Sequence, residues 1–160
     1  MELLTKTPNE CTNQELSEFK ELVLDGGGVM AEGLLDRIKS AENLIFVRDG
    51  KCIGVGAIKR PYGHYKKSVF KKTGVSNISN DYLFELGWVY ASPSSREKGV
   101  GRRIMEAIIK SIGNAGCFAT TREDNNAMHY LLEQYGFLKV GKKYKSNSGN
   151  YSLVLYVYQP

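Results

Sequence analysis

Cysteine and histidine are scarce in this chain of 160 residues. It contains three cysteines, Cys11, Cys52 and Cys117, only two histidines, and no C-x-x-C pair. An odd number of widely spaced cysteines argues against a disulfide framework, and the few sulfur and imidazole groups lack the spacing of a zinc cage. No metal site is therefore expected, and a reducing, cytoplasmic environment fits best.

Long apolar segments are also missing. The longest uninterrupted apolar run covers residues 153–158, far fewer than the ~20 residues that a membrane-spanning helix needs. Residues 1–6 do not show the basic-then-apolar order of a secretion signal. We therefore expect no membrane association and no export.

The bulk composition argues against a disordered chain and against several domains. Hydrophobic residues make up 42% of the chain and charged residues 24%, which are close to the averages of globular proteins. A domain typically has about 150 residues. The sequence therefore predicts a single domain over residues 1–160.

Charge is unevenly distributed along the chain. The 22 basic and 17 acidic residues give a net charge of +5. Six basic residues and no acid fall within residues 59–80, and four more basic residues fall within 139–145; without these ten, the chain has 12 basic and 17 acidic residues. A local basic surface attracts phosphate groups of a nucleotide, a cofactor or a nucleic acid, although a solvated lysine-rich loop is the alternative.

Hydrophobic periodicity and turn signals predict alternating helices and strands. Thr12 and Glu15 form a capping box, and Asp49-Gly50 joins two β-like runs in a hairpin. The predicted strands are residues 2–5, 44–47, 52–58, 82–90, 117–121, 137–144 and 151–158. The predicted helices are residues 13–25, 34–38, 102–112 and 125–135. Residues 61–80 show no clear period and are predicted to be a loop, so the order is that of a mixed α/β domain.

A glycine-bearing turn between a predicted strand and a predicted helix is suited to anionic groups. Gly99 and Gly101 would let a phosphate approach the backbone, where the first N–H groups of a helix lack internal partners. Nearby positive charge comes from Arg96, Lys98, Arg102 and Arg103. A purely structural turn is the alternative. The turn lacks the G-x-G-x-x-G of a dinucleotide site and the G-K-[ST] of a P-loop.

Two segments resemble motifs of the GNAT superfamily of N-acetyltransferases. Residues 89–105, VYASPSSREKGVGRRIM, are similar to motif A, a strand, a [QR]-x-x-G-x-[GA] turn and a helix. Asn125 opens a helix that ends in EQYGF at 133–137, similar to the family's later N-x-x-A…Y-E-x-x-G-F segment. The resemblance implies an α/β (α+β) domain with a mixed, mostly antiparallel sheet of about six to seven strands. About four helices would flank this sheet, and a strand bulge would splay it.

The resemblance further implies binding of acetyl-coenzyme A (acetyl-CoA). In the family, backbone N–H groups of the turn hold the pyrophosphate, the preceding strand pairs with the pantetheine arm, and the asparagine of the later helix contacts that arm. By position, the implied cofactor-binding residues are Trp88, Val89, Tyr90, Ala91, Arg96, Glu97, Lys98, Gly99, Val100, Gly101, Arg102 and Asn125. A carbonyl that gains negative charge during transfer needs fixed donors of this kind.

Glu85 is the candidate general base. An alkyl ammonium acceptor is protonated at neutral pH, so transfer benefits from a group that removes a proton. Glu85 lies in an otherwise apolar strand, eleven residues before Arg96, and some family members have their base glutamate at that spacing. The alternative is a carboxylate at the rim or paired with a lysine.

The general acid is less well defined by the sequence. Many family members have a tyrosine four residues before the G-F pair, where this chain has Leu132. Helix spacing places His129 one turn from both Asn125 and Leu132, which makes it the candidate catalytic acid. Tyr135, a water molecule and direct release of the thiolate are alternatives to it.

Three hypotheses remain for the function, of which two differ in the acceptor. The favoured one is a small-molecule amine or an amino-acid derivative. The second is a macromolecular amine, on a protein or on an aminoacyl-tRNA, the latter suggested by the basic residues 59–72. The third is a non-catalytic module that binds nucleic acid, although no RNP-like or helix-turn-helix motif supports it. Because family members often pair through sheet edges, a homodimer is compatible with the resemblance.

Overall fold

Seven β-strands and five α-helices make up the computed structural model, which describes all 160 residues. The strands are β1 (Glu2–Lys6), β2 (Asn43–Asp49), β3 (Lys51–Lys59), β4 (Phe84–Ala91), β5 (Cys117–Arg122), β6 (Leu138–Lys145) and β7 (Ser152–Tyr158). The helices are α1 (Asn13–Asp25), α2 (Leu34–Lys39), α3 (Gly63–Lys72), α4 (Val100–Ile112) and α5 (Asn126–Gln134). Short 3-10 helices cover Pro8–Glu10, Ser76–Asp81 and Pro93–Ser95. None of the helices combines the length and the apolar character needed to cross a membrane.

The strands follow the order β1-β2-β3-β4-β5-β7-β6 in a mixed sheet. β4 and β5 are parallel, with Phe84 opposite Cys117 and Glu85 opposite Phe118. The β1–β2, β2–β3, β5–β7 and β6–β7 pairs are antiparallel. The predicted class, a mixed and mostly antiparallel sheet with flanking helices, is confirmed.

The chain divides into two compact units. The first unit comprises Met1–Lys59 and Leu86–Ser111, and the second comprises Arg60–Glu85 and Ile112–Pro160. The first unit contains 12 basic and 12 acidic residues, whereas the second contains 10 basic and 5 acidic residues. The whole net charge of +5 therefore belongs to the second unit.

Aromatic packing fixes α1 in the first unit. The fully buried ring of Phe19 meets Phe46 of β2 edge-on at 5.5 Å and Trp88 of β4 at 6.0 Å between ring centroids. Such edge-to-face pairs stabilise a fold beyond the apolar area that they bury. Three of the periodic apolar residues that predicted this helix, Leu16, Phe19 and Val23, are thus on its buried face.

Residues 61–80 are not the loop that their polar composition predicts, because α3 and a 3-10 helix occupy most of the segment. Phe70 of α3 is fully buried, stacks on Tyr82 at 5.8 Å and meets Phe118 of β5 edge-on at 5.3 Å. A helix with two adjacent buried apolar residues gives no sustained 3.6-residue period. It depends on tertiary packing that the sequence pattern does not display.

Glu15 is expected to make the stability of the first unit depend on acidic pH. Its carboxylate accepts from Lys6 Nζ at 2.8 Å and from Thr12 N at 2.8 Å. The Lys6 hydrogen bond, followed by the Thr12 backbone bond, lowers the pKa of Glu15. Because the folded value lies below the unfolded one, about 4.3, the stabilisation is complete above that pH. It is lost as the pH falls through the folded value.

Glu15→Gln should therefore lower the free energy of unfolding at pH 7 by about 1 kcal/mol, measured by urea titration. Its deficit relative to the unsubstituted protein should shrink between about pH 5 and pH 3. Glu21→Gln, an exposed change on the same helix, is the control and should follow the unsubstituted protein. A pH-independent deficit in Glu15→Gln would contradict the linkage.

Candidate functional site

The turn before α4 leaves its backbone open to a ligand. Gly99 has a left-handed φ of +76°, and no atom lies within 4 Å of the position that a Cβ would occupy. α4 begins at Val100, and Arg103 N donates to Gly99 O at 3.1 Å. Since N–H groups in the first turn of a helix lack internal acceptors, they are available to an anion beside Gly99.

Hydrogen bonds to β3 hold this turn in place. Ser92 N donates to Ile53 O at 2.8 Å, and Ser95 Oγ donates to the same carbonyl oxygen at 3.2 Å. Ser95 is only 2% exposed, so its hydroxyl makes this bond away from solvent. A buried hydrogen bond of this kind fixes the turn against the sheet and limits its movement.

Two glycines of β3 bring α4 close to the strand. A Cβ added at Gly54 would collide with Val100, and one added at Gly56 would collide with Ile104. The start of the helix therefore lies directly on the strand surface. The sequence signal for this close packing is the alternation G-V-G in β3. The hairpin prediction did not assign these glycines to any contact.

Positive charge surrounds the open turn. Four basic residues near it are exposed: Arg96, Lys98, Arg102 and Arg103. The Arg96 guanidinium lies 5.9 Å from the Tyr90 ring centroid, and its Nε donates to Ala91 O at 3.3 Å. A diphosphate fits this turn, because the turn offers an open backbone, helix N–H groups without internal acceptors and exposed cations. The residues present therefore suit the diphosphate of acetyl-CoA.

Trp88 interrupts the regular conformation of β4. Its φ is +54°, a left-handed value that is uncommon for a residue other than glycine. Its ring packs against Phe19, and Lys59 Nζ lies 4.5 Å above the ring centroid. The irregular residue coincides with the start of the segment predicted to pair with the cofactor arm, where the resemblance implied a strand bulge.

A buried polar cluster surrounds Glu85 in the second unit. Glu85 is 4% exposed, and the Tyr65 hydroxyl donates to its Oε2 at 3.0 Å. Thr120 of β5 is hydrogen-bonded to the phenols of both Tyr65 and Tyr144. Four polar side chains from α3, β4, β5 and β6 thus meet at one place.

Both phenols of this cluster keep their protons in neutral solution. Burial of the hydroxyl, followed by the charge of Glu85, raises the pKa of Tyr65 well above its usual value. The same two causes raise the pKa of Tyr144 to about 12. The cluster therefore places neutral hydroxyl groups around one carboxylate.

Asn125 has a structural role at the start of α5. Its Oδ1 accepts from Met128 N at 3.2 Å, which makes it the N-cap of the helix. The side-chain carbonyl oxygen is thus engaged in capping the helix. Contact with a cofactor arm stays a prediction for this residue.

His129 is hydrogen-bonded on both ring nitrogens. Nε2 lies 3.1 Å from Arg122 O and 3.0 Å from Glu123 O, and Nδ1 lies 2.7 Å from the Tyr156 hydroxyl. That hydroxyl donates to Glu133 Oε1 at 3.2 Å. Nε2, which faces two carbonyl oxygens, acts as a donor, whereas Nδ1 shares one hydrogen bond with the phenol. The imidazole borders an open groove of about 390 Å³ on the second unit.

The predicted site residues fall in both units. Those in the first unit are Trp88, Val89, Tyr90, Ala91, Arg96, Glu97, Lys98, Gly99, Val100, Gly101 and Arg102; those in the second are Glu85, Asn125 and His129. The sequence analysis missed Tyr65, Thr120 and Tyr144. No spacing along the chain connects these three residues, and only the pairing of distant strands and the docking of α3 bring them to Glu85.

A family model and many solved structures match this chain. The model of the acetyltransferase (GNAT) family matches residues 10–137. No curated protein matches the chain in sequence.

Solved structures share the fold at low sequence identity. An acyl-CoA N-acyltransferase from Pseudomonas aeruginosa is 15% identical, with a TM-score of 0.71 and coverage of 98% of this chain and 99% of that one. The ribosomal-protein-S18-alanine N-acetyltransferase from Escherichia coli is 13% identical, with a TM-score of 0.69 and coverage of 99% and 94%. An aminoglycoside 6'-N-acetyltransferase complexed with coenzyme A is 12% identical, with a TM-score of 0.68 and coverage of 99% and 97%.

Proposed function

The chain belongs to the acetyltransferase (GNAT) family, and on that basis we propose that it transfers the acetyl group of acetyl-CoA to a primary amine, with Glu85 as the general base. The observation that carries the proposal is the buried Glu85 carboxylate, held by the Tyr65 hydroxyl. A buried carboxylate among neutral donors is suited to accepting a proton from a substrate.

The turn before α4 is the proposed site for the diphosphate of the cofactor. Backbone N–H groups from Gly99 to Gly101 would bind its oxygens, and Arg96 and Lys98 would balance its charge. The remaining proposed contacts are those of Trp88, Val89, Tyr90, Ala91, Glu97, Val100, Arg102 and Asn125. Bound acetyl-CoA supplies the acetyl group as a thioester.

Glu85 would remove the proton that blocks the acceptor amine. The ammonium form has no free electron pair, and it dominates at pH 7. Transfer of its proton to the Glu85 carboxylate leaves a neutral, nucleophilic amine and a protonated side chain. The carboxylate that would take up this proton accepts a hydrogen bond from the Tyr65 hydroxyl at its Oε2.

His129 stays the proposed donor of the proton that the leaving group takes up. Its Nδ1 contact with the Tyr156 hydroxyl and its Nε2 contacts with main-chain carbonyl oxygens hold the ring in one orientation. Leu132 is fully buried and has no group that could supply this proton.

Titration calorimetry with acetyl-CoA, followed by a thiol-release assay with a panel of amines, tests the proposed function. We expect saturable binding of acetyl-CoA and release of coenzyme A that depends on an added amine. Desulfo-coenzyme A, which lacks the reactive sulfur, should bind without supporting turnover. Absence of acetyl-CoA binding by folded protein would contradict the proposal.

A small amine is the favoured acceptor, and the charge of the second unit favours an acceptor carried on RNA as a second candidate. α3 and β6 each contain four lysines and no acid. The structure brings them together, because Lys142 N of β6 donates to Thr73 O, directly after α3, at 3.0 Å. A basic surface of this kind attracts the phosphates of a nucleic acid.

Replacing two exposed lysines of α3, Lys67→Gln together with Lys71→Gln, should separate these acceptors. With an RNA-linked amine, KM should rise and the slope of log binding constant against log salt should fall by roughly one unit per lysine. With a small amine, kinetics should be unchanged. Lys39→Gln with Lys51→Gln removes the same charge from the first unit and is the control. Equal effects of the two pairs would contradict a specific RNA surface.

A further inference from the structure

α3 contributes a side chain to the candidate site as well as charge to the surface. The helix lies in residues 61–80, a segment for which neither family motif assigns a role. Tyr65, in its first half, is 36% exposed as a whole residue, yet its hydroxyl reaches the buried Glu85 carboxylate. An exposed ring whose polar end is directed inward indicates a role for that hydroxyl.

Packing fixes α3 at the level of Glu85. Phe118 stands opposite Glu85 in the parallel β4–β5 ladder. Phe70, one and a half turns after Tyr65, packs edge-on against that same Phe118 at 5.3 Å. Thr73 Oγ1 closes the helix by donating to Val69 O at 3.0 Å. The position of the Tyr65 hydroxyl is thus set by the buried core of the second unit.

We propose that Tyr65 is a positioning residue for Glu85, which holds the carboxylate in its ionised form and in one orientation. The inference rests on the proposed role of Glu85 as the base. A phenol donates one hydrogen bond, and an ionised carboxylate accepts it better than a protonated one. Tyr65 therefore favours the state in which Glu85 can take a proton.

The neighbours of Glu85 leave Tyr65 as a donor throughout the working pH range. Two titratable groups that face the carboxylate are the phenols of Tyr65 on α3 and Tyr144 on β6. Burial and the charge of Glu85 raise the pKa of both phenols, so neither loses its proton near neutral pH. Thr120 on β5 adds a hydroxyl that does not titrate.

Tyr65→Phe tests the inference, because it removes the hydroxyl and keeps the ring. The acid limb of the profile of kcat against pH should move to higher pH, because the ionised carboxylate loses a hydrogen-bond donor. The KM for acetyl-CoA should stay the same, and kcat at the alkaline plateau should fall by less than about tenfold. Tyr62→Phe is the matched control, since Tyr62 precedes the same helix and is 63% exposed.

A direct measurement accompanies the kinetics. Carboxyl-¹³C NMR on glutamate-labelled protein follows the titration of Glu85, whose signal is assigned by its loss in Glu85→Gln. The midpoint should rise in Tyr65→Phe and stay in place in Tyr62→Phe. An unchanged midpoint and acid limb in folded Tyr65→Phe, with Glu85→Gln inactive, would overturn the positioning role and leave the base in place. Full activity of Glu85→Gln would instead overturn the base and the inference together.

Discussion

Replacement of Gly101 by valine is expected to abolish acetyl-CoA binding without unfolding the protein. Gly101 lies in the first turn of α4, two residues after the open backbone at Gly99. A branched side chain there would occupy the space through which a diphosphate reaches the N–H groups. Loss of two hydrogen bonds to a charged group costs about 3 kcal/mol or more. That is a weakening of Kd by at least ~100-fold, measurable by titration calorimetry.

Two variants distinguish a blocked site from a damaged helix. Gly101→Ala adds one carbon, which the [GA] position of the resembling motif tolerates, and should bind acetyl-CoA within about threefold of the unsubstituted protein. Ser111→Val is the control for the helix, because it places the same branched residue at the exposed far end of α4. The lower helix propensity of valine costs well under 1 kcal/mol there. Normal affinity in a folded Gly101→Val protein would refute the proposed diphosphate site.

Features that depend on neighbouring residues were predictable from the sequence. The capping box of Thr12 and Glu15 forms as predicted, with Glu15 N donating to Thr12 Oγ1 at 3.1 Å. Asp49-Gly50 joins β2 to β3, and Gly50 takes the left-handed φ of +77° that favours glycine in such a turn. Each signal is complete within a few residues, so no distant contact is needed to read it.

Features that depend on distant residues were not predictable. α3 is stabilised by Phe70 on Tyr82 and Phe118, which are 12 and 48 positions away in the sequence. A local pattern cannot show such contacts, so the lysine-rich composition dominated the loop prediction. The polar partners of Glu85 were missed for the same reason, since Tyr65 reaches it only after α3 has docked.

Glu85→Gln should lower kcat by about 100-fold or more, the usual contribution of a general base, while acetyl-CoA binding is unchanged. The substitution keeps the shape of the side chain and removes its capacity to take a proton from an ammonium. The acid limb that depends on Glu85 should be replaced by a rise in activity as the pH approaches the pKa of a free amine, about 10. Asp81→Asn, an exposed carboxylate change in the same unit, is the control for stopped-flow and steady-state rates. If Glu85 is the base, the loss of kcat in the variant should become smaller as the pH rises, because the acceptor amine then loses its proton to water without help. A loss of kcat that is the same at every pH would mean that Glu85 has a structural role.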